Sequence, residues 1–316
     1  MQISSILDIT NGELQNSPLI SFITDIKINP NKVKQGDLFL VNNPDDIALA
    51  IQNGAFAIIY DNKNIPIIDK EIAWILVEDT SYAMIRLMRY ILSLHNIEVY
   101  LCDDITIDLI KLYTYDFKHP VIILEDNMYE NIIKLNQIEE FSIIFTSDKK
   151  YLEKIFPQYK NFNNKYYEIL NQTIHSAFET TFSYEDKYFS RLKLPQIYIN
   201  QFLDIYLYLD KQIDLNKLKL SILSKPIFIN LHCDIIEFGK SDKFILPIKN
   251  KNIAKNQIEF IKHIYKYANI NIIDYNDKDL IKIIKTTNFN ILIVVEGSYE
   301  DMVEILSQPK EEQTLF

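Results

Sequence analysis

The sequence predicts an α/β protein with more than one domain, and three observations lead to this prediction. The chain has 316 residues, more than an average single domain contains. Hydrophobic residues make up 48% of it, enough to form more than one core, while charged residues make up an ordinary 24%. Short apolar runs typical of buried strands alternate along the chain with runs of helical periodicity. Such alternation is typical of layered α/β domains.

The first predicted domain covers residues 1–94. Its apolar runs predict strands at 39–41, 56–60 and 74–77, and its periodicity predicts helices at 45–53 and 81–94. Asp79 or Thr80 is the expected N-cap of the second helix, because a short polar side chain there can accept a hydrogen bond from the first turn.

Two further domains are predicted at residues 95–228 and 229–306, followed by a polar tail at 307–316. For the second domain we predict strands at 99–102, 121–124 and 142–145, helices at 106–113, 199–209 and 215–223, and an Asn-rich loop at 160–165. For the third we predict helices at 258–267, 280–285 and 301–306 and a strand at 291–295.

Composition and charge exclude several classes of protein. The net charge of −10 argues against a nucleic-acid-binding surface, which needs clustered Lys and Arg. No apolar run approaches the roughly eighteen residues of a membrane span. The first residues lack the basic and apolar regions of a secretory signal, so we expect a soluble, cytoplasmic protein.

Cysteine and histidine are not arranged for metal binding. Cys102 and Cys233 are the only cysteines, and they are more typical of small buried hydrophobes than of reactive thiols. The five histidines are scattered without the spacing of a zinc site, so no metal is expected. The chain has no Gly-x-Ser-x-Gly or Gly-x-Gly-x-x-Gly segment, which leaves hydrolase and dinucleotide-binding functions without support.

Four segments of the first domain carry a resemblance to a known family. They are Ile23-Thr24-Asp25, Val33-Lys34-Gln35-Gly36-Asp37-Leu38-Phe39, residues 48–59 around Gly54-Ala55, and Val77-Glu78-Asp79-Thr80. Together they resemble the UDP-sugar-binding domain of the Mur ligases, and most of all the members that add D-alanyl-D-alanine to UDP-N-acetylmuramoyl-tripeptide. Gly36 and Gly54 also have a purely structural explanation, as a tight turn and a helix end.

The resemblance implies an architecture and a set of candidate binding residues. It implies a three-domain Mur-ligase-like fold with a reduced central domain and a short C-terminal α/β domain. The candidate substrate-binding residues are Thr24, Lys27, Gly36, Asp37, Phe39 and, at a later helix start, Asn200. The sequence departs from the family where an Asp-Ser-Arg segment is replaced by Lys27-Ile28-Asn29-Pro30, and a Gly-rich Asp-Gly-His segment by residues 42–46.

The phosphate-binding loop of an ATP-dependent ligase is missing. Between the predicted strand at 99–102 and the helix at 106–113 stand only Asp103-Asp104-Ile105, and no glycine occurs between Gly54 and Gly239. A phosphate cradle needs converging backbone N–H groups and a lysine. Two carboxylates at a helix N-terminus occupy the favourable anion position themselves, so they are expected as caps and no ATP cofactor is expected.

Other catalytic positions of the family are replaced as well. Glu125 stands where the family has an acidic residue that helps hold Mg-ATP, and it is the one candidate catalytic residue. A lone Glu after a strand is also typical of a solvated surface. Tyr151 stands in the place of a histidine and Tyr166 in that of the carboxylated lysine, by register with the family.

These replacements predict a catalytically degenerate Mur-ligase-like protein, without ATP-dependent ligation. We expect it to be a binding or regulatory partner in peptidoglycan precursor synthesis, recognising a UDP-MurNAc-peptide or a cell-wall synthesis protein. The first alternative is a divergent acid–amino-acid ligase that uses Mg-ATP held by Glu125. The second is a protein-interaction module whose tail, through Gln313, Leu315 and Phe316, resembles peptides that bind the bacterial sliding clamp. A frayed terminus also explains the tail.

Overall fold

The computed structural model describes residues 1–162, 165–219, 225–249, 251–276 and 280–307. The chain divides into two compact units. The first consists of Met1–Asp103 and Thr114–Asn164, and the second of Asp104–Tyr113 and Lys165–Phe316. The chain thus enters the second unit for one helix before it completes the first. The predicted boundaries at 94, 228 and 306 stay a prediction.

The first unit begins with a mostly parallel sheet of short strands. The strand order is β1-β5-β4-β3-β2, with β1 antiparallel to β5 and the remaining pairs parallel. The strands are β1 (Glu13–Leu14), β2 (Ile26–Lys27), β3 (Leu38–Leu40), β4 (Ala57–Tyr60) and β5 (Ala73–Leu76). Three helices accompany them: α1 (Ile3–Thr10), α2 (Ile47–Gln52) and α3 (Thr80–Ser93).

Both faces of this sheet are buried, as expected for parallel strands with helical crossovers. Because side chains alternate along a strand, Leu38 and Leu40 join one apolar cluster while Phe39 joins another on the opposite face. The single tryptophan, Trp74, lies in the same cluster as Phe39 and is fully buried. The predicted strands at 39–41, 56–60 and 74–77 are confirmed to within one residue.

Helix α3 begins as predicted at Asp79. The Asp79 carboxylate accepts hydrogen bonds from the backbone N–H groups of Ser81 at 2.6 Å and Tyr82 at 3.1 Å, which makes it the N-cap. The buried face of the helix packs against α1 within the cluster that also holds Leu38.

A second, fully parallel sheet completes the first unit. Its strand order is β7-β8-β6-β9. Its strands are β6 (Glu98–Leu101), β7 (Val121–Ile123), β8 (Ile143–Thr146) and β9 (Lys160–Asn161). The helices of this part of the chain are α4 (Asp104–Tyr113), which belongs to the second unit, α5 (Met128–Asn136) and α6 (Lys149–Ile155). Helices α5 and α6 pack against α3, so one helix joins the cores of both sheets.

The second unit contains an antiparallel meander that the sequence did not reveal to us. Its strands are β10 (Leu170–Ser176), β11 (Glu179–Tyr184) and β12 (Lys187–Leu192), paired in that order. Helix α7 (Ile199–Tyr208) packs against α4. The side chains of Phe182, Phe189 and Phe202 meet in a buried aromatic cluster, with the first two rings stacked at 4.8 Å.

A four-stranded sheet forms the rest of the second unit. Its order is β13-β14-β16-β15, with β13 antiparallel and the other three strands parallel. The strands are β13 (Ile227–Phe228), β14 (Phe244–Ile248), β15 (Ile270–Asp274) and β16 (Ile291–Val295), and the helices are α8 (Lys251–Ile264), α9 (Leu280–Thr286) and α10 (Tyr299–Ser307). The α/β fold class is confirmed. No helix in the described ranges is long and apolar enough to cross a membrane.

Two local predictions need correction. The predicted loop at 160–165 begins with strand β9, because Lys160 and Asn161 pair with the exposed edge of β6. The helix predicted at 215–223 is, over its described part, a single 3-10 turn at Leu215–Lys217, begun by an Asp214 carboxylate that accepts from the backbone of Asn216. Residues Gln313, Leu315 and Phe316 lie outside the described residues.

The glycine at the end of α2 provides a test of the first sheet. Gly54 has a φ of +104°, and a Cβ added there would lie 2.8 Å from the Cα of Gln35. We therefore expect Gly54→Ala to lower the free energy of unfolding by about 2–4 kcal/mol, from backbone strain and a backbone clash together. The control Gln52→Ala removes an exposed side chain from the same helix and should change it by less than about 0.5 kcal/mol.

The buried Trp74 reports on this unit, so urea unfolding followed by its fluorescence measures both variants. If Gly54→Ala unfolds at the same urea concentration as the control, the result would contradict the close approach of the Gly54 and Gln35 backbones.

Candidate functional site

The connection between β6 and α4 lies where an ATP-dependent ligase would carry its phosphate loop. Strand β6 ends at Leu101 and α4 begins at Asp104, so only Cys102 and Asp103 join them. The helix begins two residues earlier than the predicted Thr106. The connection is therefore even shorter than the sequence indicated.

The backbone of this connection is already engaged. The backbone N–H of Cys102 donates to the carbonyl oxygen of Thr146 at 3.1 Å, which extends the pairing of β6 with β8. The Cys102 side chain is buried, and its Sγ lies 3.8 Å from the same oxygen. Asp104 adds a carboxylate to the first turn of α4. This arrangement places a negative charge at the start of the helix, where a bound phosphate would also lie.

Glu125 lies at the carboxyl end of β7, on the sheet edge where parallel α/β sheets commonly bind ligands. Its side chain is exposed, while its backbone is held by the amide of Asn131. The N–H of Glu125 donates to Asn131 Oδ1 at 3.1 Å, and Asn131 Nδ2 donates to the Glu125 carbonyl at 2.7 Å. Asn131 is only 1% exposed. The position of Glu125 is therefore fixed by a buried amide on α5.

The position that replaces the family's histidine is part of the core. The Tyr151 ring is buried beside α3, and its hydroxyl donates to the sulfur of Met88 at 3.0 Å. Burial raises the pKa of Tyr151 to about 12, so the phenol stays neutral at ordinary pH. Asp148 caps α6 by accepting from the backbone N–H of Tyr151 at 2.9 Å. Both residues thus have structural partners.

Three of the predicted binding residues meet in one turn. The Asp37 carboxylate accepts from the Thr24 hydroxyl at 2.8 Å and from the backbone N–H of Lys34 at 2.9 Å, and Asp37 is only 3% exposed. Gly36 has a φ of +100°, and a Cβ there would lie 3.0 Å from the Thr24 hydroxyl oxygen. The N–H of Gly36 donates to the Gly54 carbonyl at 3.0 Å. Thr24, Gly36 and Asp37 thus form a closed hydrogen-bonded turn.

The other two predicted residues of this domain lie on neighbouring strands. The ammonium of Lys27, on β2, forms an ion pair with the carboxylate of Asp25. The amide of Asn136, at the end of α5, donates to the other oxygen of that carboxylate. Phe39 is fully buried in the core, so it can contribute to a ligand site only through the backbone of β3.

Asn200 lies in the second unit, apart in the chain from the other candidates. It is the second residue of α7, and its Oδ1 is buried with no hydrogen-bond partner among the described residues. A buried acceptor without a partner costs about 1–3 kcal/mol unless a donor from elsewhere completes it. The acceptor could therefore receive a hydrogen bond from a ligand, and the binding role of Asn200 stays a prediction.

Sequence reasoning missed the residues that hold these candidates in place. Asn131 and Asn136 have no motif around them, and Asn136 reaches Asp25 across 111 positions of sequence. The only local signal is that α5 begins after the strand carrying Glu125. Within the described ranges, no group of three His, Cys, Asp or Glu side chains lies close enough to hold a metal ion.

The fold matches solved structures of Mur ligases. A MurF structure from Acinetobacter baumannii has a TM-score of 0.55 at 11% identity, over 96% of this chain and 87% of that one. MurF ligase from Thermotoga maritima in complex with ADP has a TM-score of 0.52 at 13% identity, over 89% and 96%. The expected Mur-ligase-like fold is thereby confirmed, while identities this low establish the fold alone. No protein-family model and no curated protein matches the chain.

The buried amide behind Glu125 can be tested through stability. We expect Asn131→Ala to lower the free energy of unfolding by about 1–3 kcal/mol, because it removes a buried amide and leaves the partly buried N–H and carbonyl of Glu125 without their partners. Asn64→Ala, in an exposed turn of the same unit, is the control and should change it by less than about 0.5 kcal/mol. Trp74 fluorescence in urea measures both, and equal midpoints for the two variants would contradict the role of Asn131.

Proposed function

We propose that this protein uses the Mur-ligase fold to bind a ligand or partner of peptidoglycan precursor synthesis, and that it does not carry out ATP-dependent ligation. The observation that carries the proposal is the two-residue connection between Leu101 and Asp104. A phosphate cradle needs several residues of free backbone and a lysine. The MurF ligase from T. maritima, whose fold is similar to that of this chain, was solved in complex with ADP.

The loss of catalytic groups at several separate positions supports the same proposal. The Tyr151 side chain is buried in the core, where its hydroxyl donates to Met88, and the carboxylate of Asp104 lies in the first turn of α4. Glu125 is the one acidic residue that stands where the resemblance predicts a ligand of Mg-ATP. A single carboxylate can contribute to Mg²⁺ binding, but Mg²⁺ in such sites also depends on the nucleotide's phosphates. Without a place for those phosphates, Glu125 is a surface residue on a rigid backbone.

A sugar nucleotide remains the small-molecule ligand that fits the first unit best. The turn of Thr24, Gly36 and Asp37 corresponds to the segments that resemble the UDP-sugar-binding domain. Lys27 is the one cation among the predicted binding residues, and a diphosphate requires such a charge. Its pairing with Asp25 holds the ammonium in place at the edge strand β2. We propose that the protein acts in the cytoplasm, where such precursors are made.

Calorimetric titration with Mg-ATP and, separately, with UDP-MurNAc-tripeptide tests the proposal. We expect no heat of binding with Mg-ATP and saturable binding of the sugar nucleotide. Lys27→Met should weaken sugar-nucleotide binding roughly tenfold, because it removes a charge-assisted contact to phosphate. The matched control is Lys32→Met, which removes an exposed lysine five residues after Lys27 and should leave the affinity unchanged.

Three other outcomes have defined meanings. Binding of Mg-ATP, or ADP release that depends on both UDP-MurNAc-tripeptide and D-Ala-D-Ala, would falsify the proposal and restore a divergent ligase. Equal affinities of Lys27→Met and Lys32→Met would remove Lys27 from the site. If neither Mg-ATP nor UDP-MurNAc-tripeptide gives a heat of binding, the binding function would be assigned to a protein surface. Cross-linking to cell-wall synthesis enzymes would then identify the partner.

A further inference from the structure

The second unit contains a cavity that none of the functions above uses. It has a volume of about 370 Å³, within the range of small-molecule sites. Six of its thirteen lining residues are aromatic: Phe178, Phe228, Phe238, Phe244, Tyr265 and Tyr267. These residues come from the β10–β11 turn, from β13 and β14, from the loop joining those two strands, and from the end of α8 and the residues after it.

The aromatic wall is held together by ring contacts. The rings of Phe228 and Phe238 lie 4.8 Å apart and those of Phe178 and Phe244 lie 5.7 Å apart, both in edge-to-face arrangements. Phe228 and Phe244 are also in contact, at 5.3 Å. Phe178, Phe228 and Phe244 are buried, whereas Phe238 is 48% exposed. The three buried rings therefore form a fixed inner wall of the cavity, and Phe238 forms a side wall that solvent can reach.

One rim of the cavity is polar and acidic. It carries the carboxylate of Asp242, and Asn290 Nδ2 lies 3.5 Å from Asp242 Oδ2. Asn290 is itself fixed, because its Oδ1 accepts from the backbone N–H of Asn269 at 2.9 Å. Among the described residues that line the cavity there is no Lys, Arg or His. The neighbouring Lys243 directs its ammonium over the ring of Phe289 at 4.2 Å, so its charge is already engaged.

The cavity lies at the edge of the sheet opposite to the one where such folds commonly bind ligands. Phe244 and Ile291 are the first residues of the parallel strands β14 and β16, and both line the cavity. Open α/β sheets commonly bind their ligands beyond the carboxyl ends of the strands. This cavity is thus a separate site, and any ligand it takes would be independent of the usual one.

We propose that this cavity binds a small organic cation, an ammonium group attached to an apolar or aromatic body. The aromatic rings provide apolar contact for the body and electron-rich faces for the cation. Asp242 supplies the opposite charge at the rim, and Asn290 orients that carboxylate. An anion such as a nucleotide diphosphate finds no positive side chain in the wall and meets the charge of Asp242.

Titration of the full chain with three probes that share one ring tests the proposal. The probes are benzyltrimethylammonium, benzyl alcohol and benzoate, followed by ligand-observed NMR or calorimetry. We expect the cation to bind saturably and roughly fivefold to tenfold more tightly than the alcohol, and benzoate to bind most weakly. The permanent charge of benzyltrimethylammonium makes the comparison independent of pH. Benzoate affinity equal to that of the cation would overturn the proposal.

Variants separate the site from the general attraction of an acidic protein for cations. Asp242→Asn should weaken cation binding about threefold to fivefold and leave benzyl alcohol unchanged. Asp186→Asn, at the exposed β11–β12 turn of the same unit, removes the same charge elsewhere and should have no effect. Phe238→Leu keeps apolar bulk but removes a ring, so it should also weaken cation binding. Thermal unfolding checks that each variant is folded.

The outcomes are decisive in both directions. If Asp186→Asn lowers cation affinity as much as Asp242→Asn does, the net charge of −10 explains the binding and the site is wrong. If Asp242→Asn and Phe238→Leu both leave cation affinity unchanged in folded protein, the cation binds elsewhere and the proposal fails. Loss in these two variants, with none in Asp186→Asn, assigns the cation to this cavity.

Discussion

The first unit depends on the burial of one face of helix α3. This face packs against α1 in the core of the first sheet and against α5 and α6 in the core of the second. Met84, Leu87 and Met88 are fully buried there, and each such side chain contributes about 1.5–3 kcal/mol through removal from water. Both sheets are therefore positioned by the same helix. Through α5 and the strands, that packing places Glu125 at one sheet edge and the Gly36 turn in the other sheet.

The fold is similar to that of the Mur ligases, while residues at two positions where the resemblance predicts ligand chemistry, Cys102 and Tyr151, have structural partners. The strand and helix that would flank a phosphate loop are joined by two residues, and the N–H of Cys102 completes the pairing of β6 with β8. Tyr151 fills space beside Met88. Proteins can share a fold without sharing an activity, because sheet pairing and core packing place few demands on the side chains that face a ligand.

Clusters of aromatic rings occur in both units, and one of those in the second unit lines a cavity. In the first unit the rings of Tyr100, Phe145 and Phe162 pack together. In the second unit the rings of Phe178, Phe228 and Phe244 do so. The rim carboxylate of Asp242 then decides which charge that cavity accepts.

The sequence by itself determined the central strands of both sheets of the first unit, helices α2 and α3, the turn at Gly36 and the short connection between β6 and α4. Each of these depends on local periodicity, on a φ that favours glycine or on the length of one connection. Only the tertiary structure decided that Asn131 holds Glu125, that Asn136 reaches Asp25, and that Phe178 joins Phe244 at one cavity. The Asn136 and Phe178 contacts join residues far apart in sequence, and all three depend on side-chain placement in the packed core. No local pattern encodes which distant partner a side chain will meet, because that is fixed by packing of the whole unit.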